Sequence, residues 1–386
     1  MITTSCSHAD DCPRAAWNGS ALLGTASGAL GPPPTLLLIG TRKGGTTSLS
    51  KHLLLHMHLL APDCQYDRAH WPARAAATTC VWNKEVRFFS RGPAGAVDFC
   101  WYRRRYPCVP PGAPHISFDG SPDYFVLPSA RIHAMALSLP ASARLVAIIR
   151  NPADRFYSAF NMGWNERRGR GAAVSDADPN AYAARRNGSL LRRRHHRIEL
   201  RRRRALGEVD GALYGVLAES LDRWIACAPE CAAEPSLVGM FFDYGLYALH
   251  LRRFARHFGT PLTNAAGARP ADRILVLKSE DMYADAWAVV SQVLAFAGLA
   301  PDAEVEARVR AAGRANAGSL WGGGGYLGRL RPAERAKLLA YYKPHNLELY
   351  SWLGRDFGWE REEEAAEARE VGELGGRMRA GGRLEG

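Results

Sequence analysis

The sequence holds eight cysteines but no C-x-x-C pair, which removes the zinc-ribbon and thioredoxin-like classes. Their even number permits disulfides without fixing a pairing. Internal repeats are also absent, which sets aside solenoids and propellers. From Met1 to Pro34, where an apolar targeting segment would lie, there are only short apolar stretches broken by Gly, Ser and Asp. Two alternatives stay open: a membrane anchor missing from this sequence, or a protein soluble in the cytoplasm. The sequons Asn18-Gly19-Ser20 and Asn187-Gly188-Ser189 fit a secretory lumen and a glycoprotein, although such triplets also arise by chance.

What is present suffices for a folded domain. With 386 residues, 47% hydrophobic and 23% charged, the chain can bury a full core, so disorder does not dominate it. The formal net charge is +12, and the window Arg185 to Arg204 holds ten Arg against one Glu. The remainder is only mildly basic. That distribution argues against a nucleic-acid-binding protein throughout and leaves an anionic partner, or a solvated insertion, for the one basic segment.

Residues 1 to 34 are rich in Ser, Ala, Gly and Pro and end at Pro32-Pro33-Pro34, as a linker would. Four short apolar runs then have the character of buried parallel strands: Leu36 to Ile39, Ile116 to Phe118, Leu145 to Ile149 and Ile274 to Leu277. Helical stretches lie between or after them, at Leu49 to Leu60, Asp154 to Trp164, Tyr247 to Phe258 and Ala286 to Ala297. Alternation of this kind predicts an α/β fold, a P-loop-like open parallel sheet flanked by helices, with ligands at the carboxyl ends of the strands. One domain is expected over 35 to 359, with a basic insertion at about 165 to 210 and a disordered tail from 360 to 386.

Behind the first strand come Gly40 and Thr41, then Arg42, Lys43, Gly44, Gly45, Thr46, Thr47 and Ser48, and the helix starts there. Strand, Gly-rich turn and helix start together aim several backbone N–H groups at one anion. A Walker A loop carries Lys directly after its last Gly; here Thr46 stands in that place and the Lys comes earlier, as Lys43. A Gly-rich turn without a ligand is the competing interpretation. Further along, Arg150 closes an apolar strand and Asn151-Pro152 marks a helix start, with an N-cap residue followed by Pro at the first helical position. Ser158 follows about two turns into that helix. A guanidinium and a hydroxyl so placed can pinch one phosphate. The alternative is a local pair between Arg150 and Asp154.

These two elements resemble the 5′-phosphosulfate and 3′-phosphate motifs of sulfotransferases that use 3′-phosphoadenosine-5′-phosphosulfate (PAPS). Lys84-Glu85-Val86-Arg87-Phe88-Phe89, Ser121-Pro122-Asp123-Tyr124-Phe125, Gly245 to Leu251, Tyr341 to Asn346 and Arg355 to Trp359 are similar to segments of the Golgi branch acting on heparan sulfate and sulfated N-acetylgalactosamine. The resemblance implies a single sulfotransferase domain that moves a sulfuryl group from PAPS, without a metal, to a hydroxyl of a carbohydrate acceptor that can be polyanionic. It implies a Golgi lumenal location. It also implies that Lys43 stabilises the leaving 5′-phosphate, that Arg150 and Ser158 hold the 3′-phosphate, and that Glu85 is the base. The turn from Arg42 to Ser48 and Tyr326 would complete the donor site. Lys84, Arg87 and Asp123 would meet the acceptor. Chemistry agrees on Glu85, because a sugar hydroxyl is a weak nucleophile at neutral pH and a positioned carboxylate can accept its proton. The alternative for Glu85 is a solvent-facing strand residue paired with Lys84 or Arg87.

The chain departs from that branch in two places. Where a Lys usually precedes Ser-Pro, it has Asp119-Gly120, so one acceptor-contacting cation is expected to be missing. The late nucleotide loop is Ser319-Leu320-Trp321 followed by Gly322 to Gly325, Tyr326 and Arg329, without cysteines. Cys227 and Cys231 could bridge only within one loop. Two rival functions stand beside the enzyme. A P-loop small-molecule kinase would need Lys after Gly45. A polyanion-binding protein would rest on Arg192 to Arg194 and Arg201 to Arg204, which otherwise either dock an anionic acceptor or form a solvated insertion.

Overall fold

The computed structural model describes residues 33–62, 84–90, 99–103, 105–106, 115–168, 217–219, 221–222, 224–226, 237–259, 263–264, 273–312 and 330–361. The expectations for both sequons, the Arg runs, Cys227, Cys231, Tyr326 and its loop, and the tail beyond 361 lie outside the described residues. So does every cysteine but Cys100, and no disulfide is found among the described residues.

Six parallel strands form one sheet: β1 Leu36–Gly40, β2 Leu59–Leu60, β3 Ile116–Asp119, β4 Arg144–Ile149, β5 Thr263–Asn264 and β6 Ile274–Lys278. Their order is β2-β3-β1-β4-β6-β5. Ten helices are bounded among the described residues. They are α1 Thr46–Leu53, α2 Phe99–Arg103, α3 Ser129–Ser138, α4 Pro152–Arg168, α5 Leu237–Asp243, α6 Tyr247–Phe258, α7 Ser279–Ala284, α8 Ala286–Phe296, α9 Ala303–Ala312 and α10 Pro332–Leu353.

Alternate strand residues face two different cores. Leu36, Leu38, Val146, Ile148, Leu275 and Leu277 pack with Leu49 and Leu53 of α1 and with Val290 and Val293 of α8. Their neighbours Leu37, Ile39, Leu145, Ala147, Ile149 and Val276 pack with Ile132 of α3, Leu251 and Phe254 of α6 and Leu349 of α10. A sheet covered on both faces needs apolar residues at every position, which is why these strands read as unbroken runs. At about 1.5 to 3 kcal/mol for each large aliphatic side chain buried, these runs are a main source of stability.

One expectation fails. The helix foreseen over Leu49 to Leu60 starts earlier and stops at Leu53, and Leu59–Leu60 forms the edge strand β2 beside Ile116 and Ser117. The stretch from Leu53 to Leu60 is nearly all apolar, so periodicity does not separate helix from strand there. Tertiary pairing decides it: the amide of Ile116 donates to the His58 carbonyl (2.8 Å), and that of Leu59 donates to His56 (3.0 Å). The two-residue strand β5 has no sequence signal either.

Because all strands are parallel, their carboxyl ends share one edge. It gathers the turn after β1, Asp119 to Ser121 after β3, Arg150 and Asn151 after β4, and Lys278 to Glu280 after β6. The foreseen cap of α4 is present: the amide of Ala153 donates to Asn151 Oδ1 (3.0 Å), with Pro152 opening the helix.

Candidate active site

The turn after β1 is held by main chain. The amide of Thr41 donates to the Ile148 carbonyl on β4 (2.9 Å) and that of Gly44 donates to Thr41 (3.0 Å). Gly44 lies so close to β4 that an added Cβ would sit 2.5 Å from the Ile148 oxygen and 2.6 Å from Thr41 Oγ1. Lys43 (φ 68°) and Gly45 (φ 99°) are both left-handed. Gly45 stands at the N-cap of α1 and makes no side-chain cap bond to the first turn. Turn and helix start together make an anion cradle flanked by Arg42 and Lys43. Against Gly45 lies the β6–α7 junction, where the fully buried Ser279 hydroxyl has no hydrogen-bond partner. An orphaned buried hydroxyl beside an anion cradle fits a phosphate-bearing ligand.

Next to the cradle runs a chain of alternating charges. Lys84 Nζ donates to Glu85 Oε1 (2.7 Å) and to the Gly120 carbonyl (3.0 Å). Arg87 donates to Glu85 Oε2 from Nε (3.0 Å) and Nη2 (2.5 Å). Its Nε also lies 3.3 Å from Asp123 Oδ2, and Asp123 Oδ1 lies 3.2 Å from Arg42 Nε. Five of the foreseen site residues, Arg42, Lys84, Glu85, Arg87 and Asp123, are thereby brought together. Glu85 is not the solvent-facing residue of the alternative interpretation: it and Lys84 are both buried. Burial pushes the Lys84 ammonium down, with Glu85 working against it. For Arg87 burial acts the same way, but Asp123 and Glu85 outweigh it and hold the guanidinium above its usual range. Tyr244 joins at the far end, its phenol pushed up to about 12 by burial while a hydrogen bond with Arg42 pulls it back.

A second group fixes the first. Asp119, at the end of β3, is fully buried and accepts from Ser121 Oγ (2.5 Å), Tyr102 Oη (2.6 Å) and Tyr124 Oη (2.8 Å). Burial raises its carboxyl above the usual range, and the three hydroxyls oppose that. Ser121 Oγ accepts in turn from the Arg87 amide (2.8 Å), and the Gly120 amide donates to the Lys84 carbonyl (2.8 Å). Segment 84 to 87 is thus pinned to the end of β3, with Arg87 itself left-handed (φ 59°). Sequence reading missed Asp119 as a hub, along with Tyr102, Ser279 and Tyr244. The one signal available was an acid closing an apolar strand, the same signal that singled out Arg150.

Arg150 lies one strand away from the cradle, directly after β4. Its guanidinium is 3.8 Å from Asp154, which has a closer partner in Arg335 (2.7 Å). Its carbonyl accepts from Tyr247 Oη (2.6 Å), and the Asn151 amide donates to Glu280 Oε1 (2.8 Å). Ser158 is buried further along α4. The turn after β1 and the segment from Arg150 therefore open on the same sheet edge, from neighbouring strands β1 and β4.

The sulfotransferase domain family matches residues 33–312, most of the chain. The chain belongs to the sulfotransferase family. Among curated proteins it is 25% identical over 348 residues to heparan sulfate glucosamine 3-O-sulfotransferase 6 of Mus musculus, covering 85% of this chain and 74% of that protein. It is also 34% identical over 127 residues to bifunctional heparan sulfate N-deacetylase/N-sulfotransferase 1 of Mus musculus, covering 33% of this chain and 12% of that one. A crystal structure of a sulfotransferase from Alicyclobacillus acidocaldarius superposes with a TM-score of 0.46 at 20% identity, over 85% of this chain and 98% of that one. This sulfotransferase has no helix among the described residues long and apolar enough to cross a membrane.

Proposed function

We propose that this sulfotransferase transfers the sulfuryl group of PAPS to a hydroxyl of an anionic carbohydrate, of the kind named in its heparan sulfate relatives. One observation carries the proposal: a buried carboxylate, Glu85, is joined through Arg87 and Asp123 to a cation of the phosphate cradle, Arg42. When bound, the donor supplies an activated sulfuryl group on a phosphate leaving group. Backbone amides from Gly45 to Ser48, with Arg42 and Lys43, hold the 5′ end, and Lys43 offsets charge on the leaving oxygen. Arg150, Ser158 and Tyr326 bind the rest of the nucleotide. Glu85 takes the acceptor's hydroxyl proton as the new S–O bond forms.

Lys84 serves by holding Glu85, to which its ammonium donates, whereas Arg87 and Asp123 keep part of their side chains exposed at the site. A kinase is not favoured, because Lys is absent from the position after Gly45 and the family match points elsewhere. A bare polyanion binder leaves the cradle unexplained. A Golgi lumenal location belongs to the same proposal and rests on the resemblance and the two sequons.

The test is transfer from radiolabelled PAPS across an array of sulfated and neutral oligosaccharides. Calorimetry with 3′-phosphoadenosine 5′-phosphate, ATP and heparin, each without metal, accompanies it. Label on an anionic saccharide and preferential binding of the 3′-phosphorylated nucleotide are expected; preference for ATP would overturn the proposal.

A further inference from the structure

Every interior member of the charged chain is shared between two partners. Glu85 spends one oxygen on Lys84 and the other on two N–H groups of Arg87. Of about four acceptor sites on a carboxylate, three are taken. Arg87 divides its charge between Glu85 and Asp123, and Asp123 divides its own between Arg87 and Arg42. Arg42 belongs to the cradle, where an anionic ligand competes with Asp123 for it. An ion released by one of two partners can move closer to the other, and the attraction grows as that distance shrinks.

We propose that Asp123 is a positioning residue that couples occupancy of the phosphate cradle to release of Glu85. An anion bound in the cradle draws Arg42 away from Asp123. Asp123 then turns its full charge on Arg87 and pulls that guanidinium off Glu85 Oε2, which opens the oxygen to an acceptor hydroxyl. No bond is made or broken in this step; one ion pair is exchanged for another along a row already in contact. The consequence is order: the base is freed after the donor has entered and is held by two cations before it. Being a coupling between sites, it is reciprocal, so whatever weakens the pair of Arg42 and Asp123 should favour donor binding.

The inference rests on the sulfotransferase assignment and makes a prediction of opposite signs. In Asp123→Asn, Arg42 loses its competitor and Arg87 its second anchor. Nucleotide affinity, read by calorimetry with 3′-phosphoadenosine 5′-phosphate, should hold or improve several-fold. Turnover with saturating donor and acceptor should fall roughly tenfold or more, the scale of one charge-assisted hydrogen bond. Asp123→Glu should restore part of the turnover. In an Arg87→Gln background, Asp123→Asn should cost no further turnover, because the group it acts through is gone. Parallel losses of affinity and turnover, or additive losses in the double variant, would reduce Asp123 to a structural part and overturn the coupling alone. A wild-type protein that bound no 3′-phosphorylated nucleotide would overturn the coupling together with the assignment beneath it.

Discussion

The phosphate cradle is made of neighbours in sequence and held by main chain, with Thr41, Gly44 and Ile148 fixing its path. The charged chain beside it is made of side chains from three separated segments, 84 to 87, Asp123 and Arg42, and is held by ion pairs. The cradle therefore tolerates loss of a side chain and is intolerant of an added one, because its backbone already touches β4. In the charged chain the reverse holds, since removing any carboxylate strands a cation that is partly or wholly out of water.

Glu85→Gln should break the comparison most severely. Turnover is expected to fall about a thousandfold, within the range for loss of a positioned base. Stability should fall too, by about 3 kcal/mol, because buried Lys84 keeps only a neutral amide oxygen and the Gly120 carbonyl. Urea melts would show the second effect, and Lys84→Met, which removes the stranded charge, should recover much of the stability without recovering turnover. Full activity of Glu85→Gln would remove the base assignment.

Lys43→Ala tests the cradle's side of the contrast. Turnover should drop about a hundredfold, the scale of a lost preorganised charge, while the melting temperature stays within a degree or so of wild type. A matching loss of stability would mean that the cradle is not held by main chain. Arg150→Ala should weaken the 3′-phosphorylated nucleotide roughly tenfold to a hundredfold, and the nucleotide lacking that phosphate hardly at all. An unchanged preference in titrations would move the 3′-phosphate site elsewhere.

Gly44→Ala should give the smallest change in chemistry and a clear one in stability. Its methyl group would press on the Ile148 carbonyl, and overpacking of this kind costs about 1 to 3 kcal/mol. Thermal melts would read it, and an unperturbed melt would show that the turn can shift away from β4.

Much of this was legible beforehand. The four long strands announced themselves because a sheet covered on both faces admits only apolar residues, and α6 matched its foreseen limits, Tyr247–Phe258. The cradle and the start of α4 were legible because glycine spacing, Asn151 and Pro152 act within a few residues of themselves. The edge strand β2 was not, since two residues leave no period to read. The burial of Lys84 was not legible either, because a lysine in sequence gives no sign of it when its partners come from a neighbouring residue and from the end of β3. The same holds for Asp119-Gly120. The ammonium of Lys84 reaches the Gly120 carbonyl, a contact that no local pattern announces.

The sequence by itself determined the parallel sheet and the Gly-rich turn at its carboxyl edge, because those features depend on local geometry and on the uniform chemistry of buried strands. Tertiary structure alone decided which charges pair, that Glu85 is shared by two cations, and that Asp123 joins it to Arg42. Coulomb attraction at about 3 Å depends on positions set by packing of distant segments, and no spacing along the chain encodes those positions.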